Sequence, residues 1–544
     1  MREDYNNKKY DLAIIGGGSH GCALAMEASR MGYSVVLLEK EDFSSGTSAN
    51  SLKVIHGGIR YLQTLSIKRL LYSSRERSRL LKDFPHLVEP LRCFMPTQRK
   101  LTKSKSIVGF AFKIYDFLTA NRNRGLCPSR EIENTTIYSR NRFFSLFSNL
   151  KDCDYTGGVS WFDAQVYNTE RLVLSYALSA KELGAEILNH CAVETLDKEN
   201  NRITEIHIAD KILKRKTTVK ADVVIDTTGP WAYFDKPRSA LKFAKAVNFI
   251  IDKKLVEHAI GLTIPKTETR DTRLLFYTPW RDRTLVGTWY FPYSAEADQL
   301  AEPNAQEVDE ILADINNQFP QAEIGRQHIS LIHKGLLPAE NESMTNAEPS
   351  LIAESYLLDG EKTGAANLLA MQGTKFTTAR VSAERCLEHC LKNGLLQHRD
   401  KLEENLPFYG CEFTQYDDFL RQSEVEYAGL WDAPTRHRLL RNYGTNINKI
   451  SRIAYEDGGL AEMVPGTNDV PKAEIKYLVD SELVYSLSDL LFRRCDVGSV
   501  GLPNGETIAY GADVLAQRFA WSEQERLQNI NALMELYPIW ARKQ

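Results

Sequence analysis

Residues 10–39 read YDLAIIGGGSHGCALAMEASRMGYSVVLLE. An apolar run, Leu12 to Ile15, ends on the glycines of a G-x-G-x-x-G pattern. A helix rich in small residues follows, and a second apolar run, Val35 to Leu38, ends on an acid. This is the pattern of a dinucleotide-binding βαβ unit, and each part has a physical task. Gly16 permits the tight turn out of the strand, Gly18 lets the backbone approach a pyrophosphate with no Cβ in the way, and Gly21 lets the helix pack closely on the sheet. At the helix N-terminus, where Ser19 stands, unpaired N–H groups and the positive dipole end favour an anion. Glu39 is placed to accept hydrogen bonds from a ribose and disfavours a 2′-phosphate.

Three further stretches bear on which dinucleotide binds. After Glu39 comes EDFSSGTSANSLKVIHGGIRYLQ (41–63), with small hydroxyl residues, then two glycines, then a basic and aromatic cluster. Residues 221–231, ADVVIDTTGPW, form another apolar strand ending in a glycine turn, and 367–386, NLLAMQGTKFTTARVSAERC, repeat the order of strand, glycine turn and helix start. Separated strand-to-glycine turns converging on one ligand imply a long enclosed cofactor, which FAD fits better than a diffusible nicotinamide.

At 544 residues and 43% hydrophobic content, the chain suffices for two or three domains, each with its own core, and is expected to be soluble and globular. A formal charge of −3, a pI near 6.5 and no basic cluster interleaved with aromatics argue against a nucleic-acid partner. The charged start MREDYNNKKY leaves no room for a signal peptide before the first strand, and no apolar run reaches the roughly 18 residues of a membrane span. Nine cysteines without a C-x-x-C pair fit reduced thiols in a cytoplasmic protein. Cys386, His389 and Cys390 have helical spacing, yet VSAERCLEHCLKNGLL reads as an ordinary amphipathic helix, so no metal is expected.

The order GGGSHG, SANSLKVIHGGIRYL, WFDAQVYNTERLVLSYALSAKELGAEI, DVVIDTTGPW, GTKFTTARVSAE and KYLVDSELVYSLSDLLFRR resembles, over nearly the whole chain, the FAD-dependent glycerol-3-phosphate dehydrogenases of the D-amino-acid-oxidase-like flavoprotein superfamily. The resemblance implies an α/β fold: a Rossmann-like FAD-binding domain with an interleaved antiparallel-sheet substrate domain, plus an all-α C-terminal domain. It implies FAD as cofactor, held by Gly16, Gly18, Ser19, Gly21, Glu39, Lys40, Thr47, Ser48, Ser51, Val193, Gly229, Trp231, Gly373, Lys375, Phe376 and Thr377. The implied reaction passes a hydride from a secondary alcohol carbon to flavin N5, leaving a ketone, and a quinone or oxygen then reoxidises the flavin. His56 and Arg60 match positions lining the family's active site: histidine is suited to accept a proton near neutral pH, and arginine to hold an anion bidentately. Lys375 matches the lysine of the family's Gly-Gly-Lys-Leu-Thr-Thr turn and is expected to stabilise reduced flavin or contact substrate.

The chain departs from that family on the substrate side. Lys334, Gly335, Leu336, Leu337 and Pro338 stand where the family has Ser-Gly-x-Arg-Pro, so leucine replaces the phosphate-binding arginine. Asn248 replaces a histidine, and Gly287, Thr288, Trp289 and Tyr290 replace Gly-Thr-Thr-Asp. A desolvated phosphate that loses a bidentate partner loses several kcal/mol. Either Lys334, Arg281 or Arg283 supplies a substitute cation, or Leu337 and Trp289 shape a larger, more apolar pocket for a conjugated glycerol phosphate or another alcohol or amine. Arg281 and Arg283 also fit a solvated hairpin turn. Two alternatives to glycerol-3-phosphate-like oxidation keep the fold: oxidation of an amine, amino acid or hydroxy acid, and flavin binding without turnover.

Residues 1–395 are expected to form the oxidoreductase domain, with FAD layers at 1–90, 150–235 and 365–395 and a substrate sheet at about 240–340 whose clearest strands are KFAKAVNFIID, RLLFYTPW and RTLVGTWYFPY. The charged, Pro- and Gly-broken stretch 396–410 separates it from a helical domain at 411–544. In residues 101–124, LTKSKSIVGFAFKIYDFLTANRNR, an apolar stripe between basic residues suits a helix lying in a membrane interface at the inner face of the cell membrane, and equally a helix packed on the core. The expected partners are a small-molecule substrate, an electron acceptor, that membrane surface and, as an open alternative, a second copy of the chain.

Overall fold

Two sheets and a layer of C-terminal helices appear in a computed structural model, which describes residues 4–62, 65–100, 103–231, 243–265, 272–293, 302–340, 349–399, 402 and 406–542. Residues 400, 401 and 403–405 of the expected junction, 101 and 102 of the basic apolar segment, and 240–242, 266–271 and 294–301 of the expected substrate sheet lie outside the described residues.

The first sheet runs, edge to edge, Tyr356–Leu358, Leu368–Gln372, Arg215–Asp226, Lys9–Ile15, Val35–Leu38 and Glu186–Leu188. Along this path all pairs are parallel except the antiparallel edge strand Tyr356–Leu358. Strands covered on both faces must be apolar at every position, and alternation sends their side chains to two covers. Leu12, Ile14, Val35, Leu37, Val223 and Ile225 pack under helices Ser19–Arg30, Thr169–Glu182 and Ala379–Lys392. Ala13, Ile15, Val36, Leu38 and Val224 instead pack under the antiparallel meander Cys191–Glu199, Arg202–Asp210 and Arg215–Asp226.

The second sheet runs Ile329–Pro338, Phe243–Ile251, Arg283–Tyr293, Thr272–Trp280, Ala259–Pro265, Val88–Thr97, Gly157–Val166 and Val54–Ile55, with Thr136–Ser139 also on Gly157–Val166. It is antiparallel apart from the pair Ala259–Pro265 with Val88–Thr97. Two segments expected in the FAD layer, Val54–Ile55 and Gly157–Val166, thus belong to this sheet. The reason is full-length pairing of Gly157–Val166 with Val88–Thr97, from Gly157 opposite Thr97 to Val166 opposite Val88. One face of the sheet is buried under helix Ala305–Gln318. On the other, Ile250, Trp280, Leu285 and Leu331 join the core of the C-terminal helices, which include Ala433–Tyr443, Lys472–Ser481 and Gly505–Phe519.

Candidate active site

Strand Lys9–Ile15 lies between Arg215–Asp226 and Val35–Leu38, so its C-terminal end is the point from which the sheet extends both ways, where open α/β sheets bind ligands. The backbone there leaves no room for side chains. Gly16 has φ +106°, and a Cβ on it would lie 3.0 Å from the Thr227 backbone. A Cβ on Gly21 would collide with Gly16 O and lie 2.6 Å from Thr227 Oγ1. Gly18 caps helix Ser19–Arg30 without a side-chain hydrogen bond, which leaves the N-terminal turn open toward an anion. Residues 39–44 fold over this turn: Gly17 N–H donates to Glu39 Oε2 at 2.6 Å and Ser44 N–H to Gly17 O at 3.0 Å. Burial pushes the Glu39 carboxyl up, while N–H donors from Glu41 and Gly17 oppose that rise. A cradle closed to any Cβ, with a buried acid at the end of the second strand beside it, fits the adenosine diphosphate half of FAD.

The other turns close on the same place. Thr227 Oγ1 donates to Gly16 O at 2.8 Å, tying the turn that holds Gly229 and Trp231 to the first. Gly373 faces the half-buried His20 ring, which any Cβ there would strike; desolvation holds that imidazole down at about 4. Ser48 Oγ accepts the Ser19 N–H at 2.9 Å. Thr47 Oγ1 accepts the Leu336 N–H at 3.1 Å, and the Ser51 carbonyl accepts from His333 Nδ1 at 3.0 Å, so this hydroxyl-rich loop stitches the cofactor turn to the second sheet. Lys40 Nζ lies 5.2 Å from the Trp231 ring. Phe376 and Thr377 form the short 3₁₀ turn that opens helix Ala379–Lys392. Val193 packs on the meander two residues beyond Cys191, whose N–H donates to the Glu39 carbonyl.

His56, Arg60 and Lys375 gather around the turn H-G-G-I-R-Y-L. Gly58 has φ +86°, and a Cβ on it would lie 2.9 Å from Ser73 Cβ. Lys375 Nζ donates to Tyr61 Oη and, at 2.9 Å, to the Ala353 carbonyl, which joins the third glycine turn to this one. Arg60, next to Tyr61 in the chain, is exposed. The His56 side chain, 53% exposed, places Nδ1 3.2 Å from Oδ2 of buried Asp163, whose Oδ1 accepts the Gly57 N–H at 2.7 Å. Burial alone pushes the Asp163 carboxyl up, but His56, Arg77 and that N–H together hold it below the usual range. As a carboxylate it accepts a hydrogen bond from Nδ1–H, which leaves Nε2 on the side of the ring away from Asp163. Asp163 and Tyr61 were missed at the sequence level, although both lie in quoted stretches; Asp163 is 107 residues from its partner.

Parity on the second sheet settles the substrate side. Val247, Phe249 and Trp289 face helix Ala305–Gln318, and Trp289 Nε1 donates to Asp314 Oδ2 at 2.9 Å, so Trp289 is core and lines no pocket beside the cofactor turn. Lys334, opposite Val247, shares that face and pairs with Glu302, so it supplies no substitute cation. Arg281 is stacked on Trp280 and Tyr167 and paired with Asp496 at 2.7 Å, while Arg283 lies 3.6 Å from Asp282. Arg281 is therefore neither a solvated turn residue nor a substrate cation. Gly335, its Cα facing Thr47, and Leu337 two residues on share the cofactor side. Asn248, at a register shift in its strand, accepts from Thr288 Oγ1 at 2.7 Å and fills the space a Cβ on Gly287 would need. His333, opposite Asn248, is buried and held down at about 4 by desolvation and by Lys53.

Residues 11–386 match the family described as FAD dependent oxidoreductase, and residues 403–526 match the C-terminal domain of alpha-glycerophosphate oxidase. The chain is 29% identical over 556 residues to a glycerol-3-phosphate dehydrogenase of Synechocystis sp., covering 98% of this chain and 97% of that protein. It is 29% identical over 501 residues to the D-erythritol 1-phosphate dehydrogenase of Brucella abortus, covering 89% and 93%. The glycerol-3-phosphate dehydrogenase of Bacillus halodurans, solved with FAD, superposes with a TM-score of 0.76 at 21% identity over 99% of this chain and 96% of that one, a likeness of fold. With the glycine cradle and a family match over most of its length, this chain belongs to the FAD-dependent oxidoreductases, an enzyme whose cofactor is FAD.

Proposed function

We propose that this enzyme oxidises the secondary alcohol of a phosphorylated polyol, glycerol 3-phosphate or a larger relative of it, to a ketone. The observation that carries the proposal is the His56–Asp163 pair beside Arg60 and Lys375 at one glycine turn. FAD, when bound, supplies the hydride acceptor. His56 Nε2 takes the hydroxyl proton, and Asp163 fixes the ring tautomer and balances the imidazolium that forms. Arg60 and Lys375 attract the anionic group, and Gly57 and Gly58 let the turn that carries His56 and Arg60 pack closely on Arg77, Tyr115 and Ser73. Leucine at 337, on the cofactor side, leaves room that an arginine would occupy, which favours a substrate longer than glycerol 3-phosphate. The relatives named for glycerol 3-phosphate and erythritol 1-phosphate support this class.

Anaerobic bleaching of the flavin band near ~450 nm tests the proposal with glycerol 3-phosphate, erythritol phosphates, glycerophosphodiesters, glycerol and D-amino acids. Bleaching by phosphorylated polyols is expected. Bleaching by D-amino acids alone would assign the site to amine oxidation, and none with any substrate would leave a flavin-binding protein without turnover.

A quinone or oxygen reoxidises the flavin, and an exposed apolar helix face supports contact with a membrane surface. On helix Lys105–Leu118, Val108, Phe112 and Tyr115 are buried, while Phe110 and Phe117 are 70% and 81% exposed, with Ile107 and Ile114 on the same stripe. Both helix faces are apolar, and core packing uses one. No described helix is long and apolar enough to cross a membrane, so attachment is interfacial. Liposome flotation of the wild type against Phe110→Glu, Ile114→Glu measures it, and equal flotation of both proteins would refute it.

A further inference from the structure

Among the described residues, Asp42, His190 and Asp489 converge as a metal site would, but arginines occupy the cluster. Asp42 accepts both Arg494 Nη groups, at 2.6 and 2.8 Å, and the Asn189 amide at 2.9 Å, with Arg493 Nε 3.6 Å away. Arg494 donates Nε to the Glu482 carbonyl, and Asp489 accepts from His190, Tyr485 N–H and Ser486 N–H. Asp42 and Arg494 are almost wholly buried. The arginines belong to the turn Asp489–Arg494 of the C-terminal helices. Asp42 sits at the crest of the loop that begins at Glu39 and closes over Gly17, against which Phe43 packs so closely that a Cβ on Gly17 would lie 2.6 Å from its ring. His190 N–H donates to the Glu41 carbonyl at 2.6 Å, on the same loop.

We propose that Arg494 is a positioning residue for the cofactor: through Asp42 it holds the Glu39 loop closed, so that the C-terminal helices govern retention of the adenosine end of FAD. A bidentate arginine clamp on a buried carboxylate fixes both distance and orientation, which Arg493, a full ångström farther from the same carboxylate, does not. The proposal rests on FAD as cofactor and is independent of the substrate. A second contact between the same two parts of the molecule, Arg441 with Glu89 at 2.7 Å, leads to strand Val88–Thr97 and not to the loop, and serves as the control.

FAD titration of deflavinated protein, read by quenching of flavin fluorescence, tests it in Arg494→Met, Arg494→Lys, Asp42→Asn and Arg441→Met, with thermal unfolding of each apoprotein measured in parallel. Arg494→Met and Asp42→Asn are expected to raise the FAD Kd about 10- to 100-fold, the scale on which loss of the support behind a ligating group weakens binding. Arg494→Lys falls between them and the wild type, and Arg441→Met stays within about twofold, as for an independent site. Asp42→Asn keeps the volume of the side chain and decides the matter if the arginine variants do not fold. Wild-type FAD affinity in Asp42→Asn, or an equal loss in Arg441→Met, overturns the proposal.

Discussion

The glycine turn at residues 16–21 and the strands 243–251, 283–293 and 329–338 lie on two sides of one site and are built by opposite means. The turn is set by backbone: positive φ at Gly16, no space for a Cβ at Gly21, and a glycine, Gly18, at the helix N-cap. The strands are set by parity, since one step along a strand moves a side chain from the cofactor side to the core. Trp289 and Lys334 show the consequence, both lying within a residue or two of positions that face the cofactor and both pointing away from it. Local geometry specifies the cradle we assign to FAD; register specifies which side chains face it.

The largest effect separates the two sides cleanly. Trp289→Ala is expected to cost about 3–5 kcal/mol of stability, as for other buried tryptophans, with no change in KM, whereas a pocket wall would shift KM first. Denaturant unfolding alongside steady-state kinetics checks it. Next, His56→Ala should slow substrate-dependent flavin bleaching about 100-fold or more while FAD stays bound; release of FAD would move His56 into the cofactor shell. Gly21→Ala does the converse, raising the FAD Kd about 10- to 100-fold through roughly 1–3 kcal/mol of overpacking. Wild-type affinity there would mean that the helix shifts to admit the methyl group. Leu337→Arg, restoring the family residue on the cofactor side, should increase the kcat/KM for glycerol 3-phosphate, and no gain would mean that Asn248 and Thr288 have reshaped the pocket beyond one residue.

The cofactor side was open to sequence reasoning because its determinants are short-range and chemically singular: glycines at fixed spacing, an acid at a strand end, apolar runs of strand length. The strands of the second sheet were also readable, from Val, Ile, Tyr, Phe and Trp content. Which way their side chains point was not, because parity depends on pairing register and on the irregularity at Asn248. Long-range partners were equally hidden. Nothing near His56 announces Asp163, 107 positions away, and nothing in the hairpin P-W-R-D-R announces that Arg281 meets Asp496. Placing Gly157–Val166 in the FAD layer failed for the same reason, since its partner strand had not been recognised.

The smallest expected effect lies where the C-terminal helices meet the cofactor loop, and its sign follows from charge. Burial pushes the His190 imidazole down, but Asp489, 2.8 Å from Nε2, and Asp42 beyond it raise it, against Arg493, to a value above the ordinary 6.5. The folded protein therefore holds this proton more tightly than the unfolded chain. The stability it contributes is fully present below pH 6.5 and is lost as pH rises through the folded value. His190→Gln removes that contribution, so the wild type should exceed it in Tm at pH 6, and the gap should narrow as pH rises toward 9. A change of only a few degrees is expected in a chain of this size. Because the same imidazole steadies Asp489, FAD release from the wild type should quicken over that interval and that of the variant should not. A gap that widens with pH would mean that the ring is neutral when folded and that Asp489 is held by Arg493 and backbone donors alone.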